Sequence, residues 1–267
     1  MQSTIATLTQ FYQPDEIVDS FAYTNALLWL TAEIQQPLVH YWQLPATVIL
    51  GLLDQQLPAL ATGLADLNAA GYQTLLRNSG GLAVVSDPGV LNVSLFLPAQ
   101  RADYSIEAAY QLMTRYVQAV WPAWPIQAGE ITHSYCPGTY DLSIAGQKIA
   151  GMSQRRTASA LVIMLYLSVN GDQTQRSQLI QQFYQTSLAG QLDDRFPQVD
   201  PRVMTTMAAK LQRPLTVPTV IQRFDTVLAQ HGTVDQQQLP RLIAEPEFQA
   251  HLAHAYQQMR RRQERLK

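Results

Sequence analysis

Hydrophobic and polar positions recur with two different periods along this chain, and the changes of period mark its elements. Between residues 15 and 32, Phe21, Ala26, Leu27, Leu28 and Leu30 follow three- and four-residue spacing behind a polar Asp15-Glu16 start, which predicts an amphipathic helix. Residues 38–43 and 47–50 are β-branched and aromatic and are separated by Leu44-Pro45-Ala46, which predicts two short strands. Helical spacing returns over 60–70 and stops at Gly71, where a glycine takes the left-handed conformation that closes a helix. Residues 74–97 read as strand, Gly80-Gly81 turn, strand, Asp87-Pro88-Gly89 turn, strand: a meander. Ser105 offers an N-cap for a helix running to about Val120, with Ala109, Leu112, Met113, Tyr116, Val117 and Val120 turned inward, and Trp121-Pro122 ends it. A loop and a β-hairpin fill residues 134–156. The run 160–169 is almost continuously apolar, as in a strand buried on both faces at the centre of a sheet. Helices are predicted over 174–189, 201–211 and 218–229. A tail from Phe248 ends in Arg260-Arg261-Arg262-Gln263-Glu264-Arg265. No repeat or long linker interrupts the pattern, so residues 1–267 are expected to form one domain, with 226–267 as a helical C-terminal extension.

Composition narrows the function classes. A hydrophobic content of 47% is ample for a large core, while the charged fraction of 14% and net charge of −2 supply no global basic field for nucleic acid. Surface polarity comes instead from glutamine, as in 173–185 and 236–238. One cysteine forms no intrachain disulfide, and with five scattered histidines it builds no four-ligand metal site of standard spacing. The N-terminus lacks a signal-peptide pattern and no apolar run approaches the roughly 20 residues that span a bilayer. The expectation is a cytoplasmic protein with neither nucleic-acid nor membrane partners and no metal. The basic tail reads first as a solvated helix end that needs no function; a dock for an acidic partner is the sharper alternative.

The chemistry concentrates in residues 134–156. Cys136 is the only cysteine, and Lys148 is one of three lysines against fifteen arginines. Wherever only a charge is needed this chain mostly carries Arg, so a lysine in a hairpin invites a reason specific to an amine that can give up a proton. An exposed strand lysine and a buried inert thiol are the plain alternatives. His133, three residues before the cysteine, is a competing partner for it. In the other glycine-bearing stretch, Gly80-Gly81 is either a tight hairpin turn or a place where a ligand approaches backbone unhindered by a Cβ.

Two stretches carry a family resemblance. Arg77-Asn78-Ser79-Gly80-Gly81 with Asp87, Gly89, Leu91 and Asn92 is one. Ser134-Tyr135-Cys136-Pro137-Gly138-Thr139-Tyr140-Asp141-Leu142-Ser143 with Gly146, Lys148, Ala150, Gly151 and Ser153-Gln154-Arg155-Arg156 is the other. With a weaker match from Phe196-Pro197 to Met204, they resemble the biotin/lipoate protein ligase superfamily over about residues 20–225. Within it the likeness is to LipL-type lipoyl amidotransferases, the octanoyl-[GcvH]:protein N-octanoyltransferases. Leu82 departs from a third glycine, and Ser86 from a histidine of the ATP-dependent ligases, which speaks against adenylate handling. The resemblance implies an α+β fold of the superfamily's catalytic-domain type over 36–225, with a mixed/antiparallel sheet and flanking helices. It implies an acyltransferase that moves octanoyl or lipoyl groups from octanoyl- or lipoyl-GcvH, the glycine-cleavage H protein, to lysines of E2 lipoyl domains. Neither ATP nor another cofactor is then required. Cys136 would carry the acyl group as a thioester, and Lys148 would lower the thiol's pKa and transfer protons. Arg77, Ser79, Gly80, Gly81, Asn92, Gly151 and Ser153 would bind substrate. An ATP-dependent lipoate ligase, an acyl-carrier-protein-dependent octanoyltransferase and a binding-only relative are the competing readings.

Overall fold

A computed structural model describes residues 4–98 and 104–266. The strands are β1 (Thr4–Phe11), β2 (Leu38–Gln43), β3 (Thr47–Leu50), β4 (Gln73–Leu76), β5 (Val84–Ser86), β6 (Val90–Pro98), β7 (Gln127–Ala128), β8 (Leu142–Ile144), β9 (Gln147–Arg156), β10 (Ala160–Ser168) and β11 (Thr233–Asp235). The helices are α1 (Asp19–Ile34), α2 (Leu60–Ala69), α3 (Ile106–Val120), α4 (Gln173–Leu188), α5 (Met207–Leu211), α6 (Val217–Leu228), α7 (Gln238–Ala244) and α8 (Pro246–Gln263). Eight strands form a mixed sheet in the order β11-β1-β2-β6-β10-β9-β8-β7, and β4-β3-β5 form a small second sheet. The expected α+β class holds.

The near-continuous apolar runs follow from burial on two faces. Along β10, Val162, Met164 and Tyr166 enter one core, while Leu161, Ile163, Leu165 and Leu167 enter another. The first core packs the small sheet, α1, α2, α4, α7 and α8 against the large sheet; the second is closed by α3, α5 and α6. At roughly 1.5–3 kcal/mol per buried large side chain, β10 alone anchors both layers. On β6 the first-core side is interrupted by buried Asn92 and Ser94. That polar break marks the cavity described below.

Three expectations are corrected. Residues 74–97 are not a meander: β4 and β5 both pair with β3, on opposite edges, and β6 lies in the other sheet. The Arg77 amide continues the ladder to the Leu50 carbonyl at 3.0 Å, so the segment between β4 and β5 is a loop over β3 and not a tight hairpin. The helix expected over 201–211 is broken: a 3₁₀ turn, Pro201–Val203, is separated from α5 by Met204, which bridges to Lys148 on β9. The segment 226–267 carries α7 and α8 but also β11, which pairs in parallel with β1. The strand β1 has no counterpart in the sequence reading. Ser105 does cap α3, its Oγ accepting from the Ala108 amide at 3.0 Å. Gly71 sits at φ 84° after α2.

Candidate active site

The loop before β8 is built around one buried ion pair. Asp141 Oδ2 accepts from the Gly138 amide at 3.1 Å and from the Ile131 amide at 3.5 Å, stapling the chain on both sides of Cys136. Asp141 Oδ1 lies 2.9 Å from Lys148 Nζ, and each side chain is only 2% exposed. Lys148 also donates to Ser134 Oγ, to the Tyr135 carbonyl and to the Cys136 carbonyl at 3.1, 3.0 and 2.9 Å. Burial pushes the Asp141 carboxyl up, against the charge and hydrogen bond of Lys148, which pull it down. Cys136 itself sits at φ 47°, a left-handed backbone that costs an ordinary residue about 1–2 kcal/mol. The Lys148 bond to its carbonyl helps hold that shape.

A second loop meets the thiol from the small sheet. The Leu82 amide donates to Cys136 Sγ at 3.4 Å, and Arg77 Nη2 lies 3.5 Å from it while also donating to the Leu82 carbonyl at 3.3 Å. Sequence reasoning gave Lys148 the task of stabilising the thiolate; here the cation against Sγ is Arg77, and Lys148 grips the backbone beneath. Gly81, at φ 100°, has no room for a Cβ: it would collide with Arg77 Nη2 and press on Sγ. Ala83 donates to Tyr184 Oη at 2.9 Å, and Tyr184 donates to buried Asp54 at 2.8 Å, whose other oxygen takes the Gly51 amide at 2.8 Å. Burial outweighs these bonds and pushes the Asp54 carboxyl up to about 6.

The two loops enclose a cavity of about 340 Å³. All nine sequence-derived residues line it: Arg77, Ser79, Gly80, Gly81, Asn92, Cys136, Lys148, Gly151 and Ser153. Asn92 Nδ2 donates to Ser86 Oγ at 3.0 Å, which fixes its position on β6. Ser79 Oγ and Arg77 Nε are buried without a protein partner and are available to a ligand. His133 points elsewhere, its Nδ1 3.1 Å from the Gln198 carbonyl. The apolar residues of 74–97 were expected to line the slot, and Val84 does; sequence reasoning missed Phe21, Trp42, Ile49 and Met164, whose residue types look like any core. It also quoted Asp141 in a motif without a role, although a carboxylate near a hairpin lysine was a usable signal. Among the described residues, no group of histidine, cysteine, aspartate or glutamate side chains could hold a metal ion, and no helix is long and apolar enough to cross a membrane.

The arrangement can hold a thiol beside an apolar slot, with a backbone amide and a guanidinium against its sulfur, and present polar groups to a carbonyl at its mouth. Comparison with known proteins places the chain in a family. The family model of the lipoyl protein ligase A/B catalytic domain matches residues 16–229. An octanoyl-[GcvH]:protein N-octanoyltransferase of Anoxybacillus flavithermus is 40% identical over 216 residues, 80% of this chain and 78% of the relative. A lipoyl-[GcvH]:protein N-lipoyltransferase of Listeria monocytogenes is 40% identical over 217 residues, 79% of this chain and 78% of the relative. In fold, the chain is similar to a putative lipoate protein ligase of Thermoplasma acidophilum with bound lipoic acid, at TM-score 0.70 and 15% identity over 97% of this chain and 96% of that one.

Proposed function

Since the chain belongs to the lipoyl protein ligase A/B catalytic-domain family, we propose that it is an acyltransferase that passes an octanoyl or lipoyl group from the H-protein lysine to lysines of E2 lipoyl domains through a thioester on Cys136. The observation that carries this reading is the position of Cys136 Sγ, bonded by the Leu82 amide and Arg77 where two loops meet at an apolar cavity. The thiolate attacks the amide carbonyl of the acylated lysine. The C–S bond forms, the C–N bond breaks, and the departing amine takes a proton. The acceptor lysine then attacks the thioester, its C–N bond forms, the C–S bond breaks, and the thiolate returns. Exchanging one lysine amide for another is close to isoenergetic, so the reading calls for neither ATP nor a metal; what is needed is a lower barrier, which a covalent intermediate provides.

The residues divide the work. Arg77 and the Leu82 amide stabilise negative charge on sulfur. Lys148 moves the protons: its three N–H groups face four acceptors, and of these Ser134 Oγ, or Asp141 once it holds a proton, can reverse and donate to the neutral amine left after a transfer. Phe21, Trp42, Ile49, Val84 and Met164 receive the acyl chain; at about 0.8 kcal/mol per methylene, an octanoyl tail contributes on the order of 5 kcal/mol. Ser79, Gly80, Gly81, Asn92, Gly151 and Ser153 shape the polar mouth. The test is to mix the protein with octanoyl-H protein and apo-lipoyl domain, without ATP, and follow every mass. An octanoyl increment on Cys136 and a loss of transfer in Cys136→Ala are expected. Full turnover by Cys136→Ala would sink the proposal.

A further inference from the structure

Close to the residues that line the cavity lie arginines that enter no ion pair among the described residues. Gln154 lines the cavity, and Arg155 follows it on β9. Arg155 Nη1 donates to Asn25 Oδ1 on α1, and Asn78 Nδ2 donates to the same oxygen at 2.8 Å, one residue before cavity-lining Ser79. Through Asn25, Arg155 is thus tied to the loop that carries Ser79 and stands beside the cavity lining. A second guanidinium arrives from the far end of the chain. Gln263, in the last turn of α8, grips Leu76 at both backbone groups: its Oε1 accepts from the amide at 2.7 Å and its Nε2 donates to the carbonyl at 3.0 Å. That grip acts as a strand partner for the open edge of β4, directly before Arg77, and fixes the turn of α8 that carries Arg262, whose charge acts on Arg155.

The ion pairs among the described residues join Lys148 to Asp141, Arg176 to Asp87, Arg195 to Asp193 and Arg202 to Asp200. Arg155, Arg262 and Arg265 are in none of them. Half-buried Arg155 is held below the ordinary arginine range by burial and then by the charge of Arg262; Arg262 is lowered by burial and then by Arg265. Crowding like charges in this way is unfavourable for the isolated fold. An anion seated between them relieves it.

The cavity wall decides which anion. The proposed cargo is a neutral acyl amide, so charge at the rim acts on the carrier of that amide, a folded protein whose acyl-lysine must reach inward. We propose that Arg155 and Arg262 form a cationic lip that receives surface carboxylates flanking the modified lysine on the donor and acceptor proteins. The proposal rests on the acyl-transfer reading and adds the surface through which its protein partners are recognised. Such a lip speeds encounter and strengthens docking, and its effect fades as salt rises.

The test separates docking from chemistry. Steady-state transfer from octanoyl-H protein is measured below and well above an ionic strength of about 0.15 M, for the wild type, Arg262→Glu and Arg262→Gln. Arg223→Glu, on α6 across the sheet, is the charge-matched control. In parallel, acylation of Cys136 by octanoyl-N-acetylcysteamine, a small thioester with no protein surface, is followed by mass. Arg262→Glu is expected to raise KM for the H protein by about tenfold at low salt with kcat held. Arg262→Gln should fall between it and wild type, high salt should erase the difference, and acylation by the small donor and the Arg223→Glu control should match wild type. An unchanged KM in both Arg262 variants would overturn the lip, as would an equal loss with the small donor. Selective inhibition by inorganic phosphate at matched ionic strength, or binding to acidic-lipid vesicles that Arg262→Glu abolishes, would assign the lip to another anion and overturn it too. If the acyl-transfer reading itself fails, wild-type Cys136 takes no acyl group from either donor, an outcome distinct from all of these.

Discussion

Asp141→Asn tests whether the buried ion pair is the keystone of the cysteine loop. The change keeps one oxygen for the Gly138 and Ile131 amides but leaves the Lys148 ammonium, 2% exposed, with only neutral acceptors. The pair is a poor source of net stability, since burial disfavours the Asp141 carboxylate more than Lys148 favours it. Removing one partner is a different matter, because the remaining charge stays in the low-dielectric interior; such losses run to about 3–5 kcal/mol. At roughly 2–4 °C per kcal/mol for a chain of this size, the melting temperature should fall on the order of 10 °C. Lys148→Met should lose less, since the Asp141 carboxyl left behind can take up a proton, the direction in which burial already pushes it, and the double variant should melt no lower than Asp141→Asn while remaining inactive. Scanning calorimetry of the four proteins, with transfer assays beside it, reads both effects. A drop of less than about 2 °C in Asp141→Asn, or a double variant showing the sum of the single losses, would refute the reasoning.

Two further outcomes follow from the same geometry. Arg77→Met removes a charge-assisted contact to Sγ worth about 1.5–3 kcal/mol, so both alkylation of Cys136 by iodoacetamide and acyl transfer should slow by roughly ten- to a hundredfold; equal rates would show that Leu82 alone suffices. Asp54, raised from 3.8 to about 6 in the fold, contributes stability that is fully present below pH 4 and is lost as pH rises through 6. Asp54→Asn removes this dependence: between pH 4 and pH 8 the wild type should lose on the order of 3 kcal/mol of stability relative to the variant, as pH-resolved melting curves would register.

What could be read from sequence was local. The strand limits 38–43 and 47–50, the Ser105 cap and the stop at Gly71 depend on neighbours a few residues away, and they match the fold. Pairing partners were not legible, because nothing within 74–97 tells β4 and β5 that β3 will claim both of them. The strand β1 escaped notice because its alternation, Ile5 into one core and Leu8 into the other, is short and runs into glutamine at Gln10. At the site, the thiol and the amine stood out through scarcity, whereas Trp42 and Met164 have the residue types of ordinary core. Arg262 could not be placed at all without the fold, since more than a hundred residues separate it from Arg155.

The site is therefore an interface between two sheets, and its accuracy depends on what ties them together. Arg77 and Leu82 hang from the small sheet, Cys136 and Lys148 from the large one, and their closest meeting is at sulfur. A buried chain of hydrogen bonds spans the gap. Asp87, after β5, holds Arg176 at 2.5 Å; Arg176 reaches Ser168 Oγ at 3.2 Å; Ser168 donates to Gln173 Oε1 at 2.7 Å; and Gln173 Nε2 reaches Tyr135 Oη at 3.1 Å, next to the cysteine. Each link is short and internally satisfied, so the chain resists shear between the layers. Asp87 lies outside the cavity lining, yet it forms one end of this chain. Its carboxylate fixes the distance between the loop that stabilises the thiolate and the loop that bears it.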